Sequence, residues 1–169
     1  MGFLSSLLGA LSGATANKAL SPPKSGPETC WWDHPQVFPL GAGRGFTTDI
    51  VGESYWQDNI GRIVGGKCEK GYKSEVVAQL VFEDNPHDPN AVAVMIDTRP
   101  VGWIPRHEAA EFRKEMLAVN PERQAMTCKA KIVGGWDDGE GNEGSFGVKL
   151  SLARPLKLEA RRAAQKRNQ

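Results

Sequence analysis

Val76-Val77-Ala78-Gln79-Leu80-Val81-Phe82, Glu83-Asp84-Asn85-Pro86-His87-Asp88-Pro89-Asn90 and Ala91-Val92-Ala93-Val94-Met95-Ile96 follow one another directly, and their reading decides the fold. The outer runs are β-branched, of strand length and bounded by turn residues, so each reads as a strand. The polar stretch between them holds two prolines and cannot continue a ladder, so it reads as a turn. Asn85, Asp88 and Asn90 can bond backbone groups within that turn, which by itself accounts for part of the pattern.

Outward from this unit, Val101 to Ile104 reads as a third short strand, ended by Pro105. His107 to Leu117 reads as a helix: Ala109, Phe112 and Met116 share one face, while Glu108, Glu111, Arg113 and Lys114 face water. Thr127 to Val133 and Phe146 to Leu152 alternate as strands around the polar turn Asp137 to Asn142, and Thr47 to Val51 opens the set. The expectation is a mainly β domain over residues 46–152, six short strands and one main helix, curled into a small, partly open barrel.

The flanks differ in character. Residues 1–28 read as a leader and linker, either disordered or weakly helical. The apolar run Gly2 to Leu11 is broken by glycine and serine and has no basic start, which disfavours a signal peptide. Gly2 with Ser6 also fits the loose myristoylation pattern. Residues 29–45 carry Trp31, Trp32, Val37, Phe38 and Leu40 and read as an apolar flap over the domain. Gly41 to Gly45 lacks the Lys-Ser/Thr of a phosphate loop and reads as a flexible turn. Residues 153–169 form a basic tail with high helix propensity from Leu158 to Gln165.

The chain has 169 residues, 40% hydrophobic and 24% charged, which suits one globular domain with tails. Its net charge of +1 conceals an asymmetry: residues 154–169 hold six basic groups against one acid, whereas 46–153 hold 12 basic and 17 acidic. Such a body excludes a broad electrostatic clamp on a phosphate backbone; nucleic acid would need a small local site or the tail. Cys30, Cys68 and Cys128 are far apart and odd in number, against a disulfide framework or zinc site and in favour of a reducing, cytoplasmic setting. No apolar run reaches the ~18 residues of a membrane-spanning helix. His34, His87 and His107 lack metal spacing, and the usual hydrolase, metalloprotease and nucleotide motifs are absent. The expectation is a protein that is not an enzyme and carries no metal or cofactor. A small enzyme using Asp84, Asp88 and His87 is the minor rival.

Three pieces in order carry a resemblance: Val51-Gly52-Glu53-Ser54-Tyr55-Trp56, the turn and strand from Glu83 to Val94, and Gly102-Trp103-Ile104-Pro105-Arg106 before the helix. Together they resemble the HIRAN domain family over roughly residues 46–152. The resemblance implies an OB-like barrel that binds single-stranded DNA at a free 3′-OH end in DNA repair or replication, with a helicase or nuclease in trans as the partner class. It implies that Tyr55 and Trp56 stack terminal bases, that Asp88 meets the terminal hydroxyl, and that His87 stands where a second stacking aromatic belongs. Arg106 falls where a cation can meet phosphate, and Asn85 and Trp103 complete the implied site. Ser54 departs from the family's basic residue there, and histidine stacks less well than tyrosine. The segment Gly61 to Lys73, with Arg62, Lys67, Lys70 and Lys73, offers compensating charge. Tyr55, Trp56 and Trp103 also fit a second reading, as barrel core. The rival function is a protein-interaction accessory domain, of phage or mobile-element type, that keeps the fold without DNA binding; the acidic body favours it.

Overall fold

The computed structural model describes residues 38–84 and 86–159. The leader, most of the flap, Asn85 and residues 160–169 of the tail lie outside the described residues. In chain order the elements are β1 (Phe38–Pro39), β2 (Thr48–Asp49), a 3-10 turn (Glu53–Tyr55), α1 (Gln57–Val64), β3 (Tyr72–Phe82), β4 (Val92–Ile96), β5 (Arg99–Trp103), α2 (Arg106–Val119), β6 (Met126–Gly134) and β7 (Phe146–Ser151). The strands form one curled sheet in the order β2-β7-β6-β3-β4-β5, antiparallel throughout, with β1 added in parallel to β6. The fold is mainly β, a partly open, OB-like barrel.

Period-two alternation explains the curl. Along β3, Ala78 and Leu80 point inward while Glu75 and Val77 point out; β4 buries Val92, Val94 and Ile96, and β7 buries Phe146, Val148 and Leu150. Phe112 and Met116 of α2 fill the same core, as the spacing predicts. A β-bulge between Val94 and Met95 shifts the β4–β5 register and sharpens the bend of the edge strand. The chain leaving β2 then crosses to the opposite edge: Val51 and Trp103 exchange two backbone hydrogen bonds of 2.8 and 2.9 Å. This single bridge is the seam at which the half-barrel nearly closes.

Three expectations need correction. A second helix, α1, covers Gln57–Val64 where the sequence predicts one main helix, and Gly61 to Lys73 is a helix end, a turn and the first residues of β3. The α2 helix begins at Arg106 and runs to Val119, longer at both ends than the face-counting predicts. The packed unit is also wider than 46–152: Leu40 and Leu156 are buried in the core, and Leu158 bridges Leu40. Arg154 therefore belongs to the domain rather than to a free tail. Its guanidinium grips Glu115 of α2 at 2.8 to 3.1 Å, and the same carboxylate accepts the Leu156 N–H at 2.6 Å.

Candidate functional site

The seam brings together segments that are distant in sequence. Gly52 follows Val51 with φ of +87°, a left-handed conformation natural to glycine, and its position lies against the Trp103 ring. A Cβ there would come within 2.7 Å of that ring, so only glycine lets the chain pass so closely. The turn to Glu53–Tyr55 then lifts Tyr55 out to 82% exposure, while its ring still borders Gly52. Trp56 folds back, half-buried, with its ring 5.9 Å from that of Trp103 at an angle of 50°. The seam therefore presents Tyr55 exposed beside the half-buried rings of Trp56 and Trp103. Tyr55 is no core residue.

The turn between β3 and β4 arrives at the same seam through Trp103. The Trp103 indole Nε1–H donates to Glu83 Oε2 at 2.6 Å. Within the turn, Asp88 Oδ1 accepts the Asn90 N–H at 2.9 Å and the Asp88 carbonyl accepts the Ala91 N–H at 3.1 Å. The other carboxylate oxygen lies 3.9 Å from Arg106 Nε at the start of α2. The Asp88 carboxylate is 23% exposed and the Arg106 side chain 83%. His87 is exposed in the same turn. Asn85 lies outside the described residues.

Two arginines hold this turn: Arg113, expected to face water, and Arg123 beyond the helix. Arg113 donates through Nη1 to the carbonyls of Glu83 and Ala91, at 3.3 and 3.0 Å, and through Nη2 to Asp84 at 3.4 Å. Arg123 reaches Asp84 at 2.7 Å. Both guanidiniums lie about 5 Å from the Phe82 ring centroid. Arg123, by hydrogen bond and charge, and Arg113 beside it hold the Asp84 carboxyl below its ordinary range. No spacing in the sequence announces this clamp, because its donors sit on α2 and beyond it, 29 and 39 positions from Asp84. Gln57 was also missed: its side chain donates to the Phe146 carbonyl and accepts the Phe146 N–H, at 3.0 and 2.8 Å. That pair fixes α1, and with it Tyr55 and Trp56, to β7.

A concavity lies beside the seam rather than on it. An open groove of about 690 Å³ runs along α1 from Gln57 past Arg62 to Lys67. Lys67 is paired there with Glu143 at 2.8 Å, and Asp58 also lines the wall, so the groove carries mixed charge. Among the described residues no group of three or more His, Cys, Asp or Glu side chains is arranged to hold a metal ion. Burial pushes the Cys128 thiol up to about 12, which keeps it protonated and unreactive. Among the described residues no helix is long and apolar enough to cross a membrane. Comparison with protein-family models, curated proteins and solved structures finds no match to this chain.

Proposed function

We propose that this chain is a non-catalytic module that binds single-stranded DNA at a free 3′-OH end, in the manner of the HIRAN domains its motifs resemble. The observation that carries the reading is the seam: one exposed aromatic ring, a second ring behind it, and a carboxylate and a cation on the adjoining turn and helix. An exposed tyrosine on a short, glycine-entered turn contributes nothing to the core, whereas a base stacked on it gains about 1–3 kcal/mol without regard to sequence. A carboxylate accepting a terminal hydroxyl proton distinguishes a free end from an internal or phosphorylated one, where like charges repel. A repair or replication enzyme of the helicase or nuclease class acting on the same end is the partner such a module serves.

Anisotropy with short labelled single strands ending in 3′-OH or 3′-phosphate tests this. Tyr55→Ala should weaken both by about 1–3 kcal/mol. Asp88→Asn keeps an oxygen for the Asn90 N–H and should remove about 1–2 kcal/mol of preference for the 3′-OH end, leaving the melting temperature unchanged. Equal binding of both ends by the wild-type protein would leave Asp88 as a turn residue only. Absence of binding to either would transfer the seam to a protein partner, the reading that the acid excess of the body favours.

A further inference from the structure

We propose that Glu83 is a positioning residue that locks the turn carrying Asp88 to the Trp103 ring, so that carboxylate and aromatic surface form one rigid recognition unit; this rests on the seam being the single-strand site. Glu83 spends three polar groups on three different elements. Its N–H donates to the Ala91 carbonyl at 3.1 Å, closing the neck of the turn at the start of β4. Its carbonyl accepts from Arg113 of α2 at 3.3 Å. Its carboxylate accepts the indole N–H of Trp103 of β5 at 2.6 Å, a short, charge-assisted hydrogen bond.

Each bond has a consequence for the seam. Trp103 is pinned by its backbone to Val51 and Ala93, but an indole on a strand can still rotate about its two side-chain torsions. The carboxylate removes that freedom and holds the ring against Gly52, which Tyr55 also borders. The same residue fixes where the turn springs from the sheet, and Asp88 lies five positions further on. A reader of chain ends needs its stacking surface and its hydroxyl acceptor held at a constant separation, because small displacements of a recognition group forfeit much of its effect. Glu83 supplies that constancy without touching the strand. Its negative charge, which would otherwise repel phosphate, is directed at an indole N–H.

The test uses the full chain labelled with nitrogen-15 and needs no ligand for its first arm. The Trp103 indole resonance is identified by its loss in Trp103→Phe. In Glu83→Ala it should move upfield, and hydrogen exchange of the Ala91 amide should quicken about tenfold, as expected when a charge-assisted bond is lost. Trp103→Phe, which keeps an aromatic ring and removes the donor, should quicken the same amide, whereas Glu83→Gln, which keeps an acceptor, should restore most of the protection. In the second arm, Glu83→Ala should reduce both single-strand affinity and the 3′-OH preference by about tenfold, with Glu83→Gln close to wild type. Unchanged Ala91 exchange in Trp103→Phe and Glu83→Ala would overturn the coupling. Should Glu83→Ala fail to fold, Trp103→Phe and Glu83→Gln decide the matter by the same readout. A wild-type protein that binds no strand would refute the function, while the exchange arm would still decide the coupling.

Discussion

Replacing Glu115 by alanine should cost the protein about 2 kcal/mol, a loss that depends on residues beyond the last strand being part of the fold. The carboxylate lies under Arg154 and Leu156 and takes three hydrogen bonds from the guanidinium and one from a backbone amide. The ion pair is partly open to water, Arg154 by 32%, so it contributes no more than about 1 kcal/mol. Leaving the Leu156 N–H without its acceptor costs about 1–2 kcal/mol, since Leu156 is in the core and its amide has poor access to water. For a domain of this size the total lowers the melting temperature by about 8 °C. Glu115→Gln retains an oxygen for Leu156 and should lose about half as much. The pH dependence has a definite sign. Burial works to raise the Glu115 pKa, but the bonds from Arg154 and the Leu156 amide outweigh it and lower the value from 4.5. A depressed carboxylate contributes stability that is complete above its unfolded value and is lost as pH falls through the native one. The advantage of wild type over Glu115→Gln should therefore hold at neutral pH and shrink below 4.5. Urea melts at pH 7 and in mild acid measure both. A Glu115→Ala protein within about 0.5 kcal/mol of wild type would show that residues 154–156 are not held, and that the packed unit ends at β7.

Trp56→Phe should change stability by less than about 1 kcal/mol in a urea melt, far below the usual cost of shrinking a large aromatic, because the buried Trp56 Nε1–H has no acceptor among the described residues and its removal offsets the lost contacts. Gly52→Ala should destabilise by about 2 kcal/mol through left-handed strain and a clash with the Trp103 ring, and should abolish strand binding before it abolishes folding; full binding by the variant would separate the seam from recognition.

What the sequence makes legible follows from whether the determining interaction is local. The strands β3, β4, β6 and β7 declare themselves by alternation and β-branching, and α2 by the spacing of Ala109, Phe112 and Met116. Helix α1 does not, because Gln57-Asp58-Asn59-Ile60-Gly61-Arg62-Ile63-Val64 has a glycine and three β-branched residues in its eight positions. Tertiary contacts stabilise it: buried Ile60, the Gln57 amide on Phe146 and Asn59 on the Pro100 carbonyl. At the site, prolines and Asx side chains mark the turn, but the bond from Trp103 to Glu83 depends on the bulged register of β5 against β4, which no local pattern encodes. Leu156 and Leu158 fall within what reads as a basic tail, helix-prone from Leu158; the burial of Leu156 and the bridge from Leu158 to Leu40 tie them to the domain.

The arrangement of charge finally constrains how a strand could be held. Five of the body's 17 acids are already answered: Asp84 faces Arg113 and Arg123, Glu115 faces Arg154, Glu75 faces Lys131, Asp49 faces Lys149 and Glu143 faces Lys67. A lysine or arginine so engaged must leave a carboxylate before it meets a phosphate, and the exchange returns little. Arg106 is the cation at the seam, 83% exposed and 3.9 Å from Asp88 Oδ2, while Arg62, Lys70, Lys73, Lys114 and Lys129 are exposed and in no ion pair among the described residues. Under the proposed function, stacking on Tyr55 supplies the affinity at the seam, with Arg106 the cation beside it. A protein ending at Glu159 should therefore bind a short single strand with log affinity falling by about 1 per unit of log salt, the slope of one or two phosphate contacts at about 0.7 each. Arg106→Gln should flatten that slope by about 0.7. Restoring the tail, with Arg161, Arg162, Lys166 and Arg167, should steepen it without changing the 3′-OH preference. A slope of about 3 or more from the truncated protein would mean that cations away from the seam meet the strand, and that the seam is a minor part of the interface.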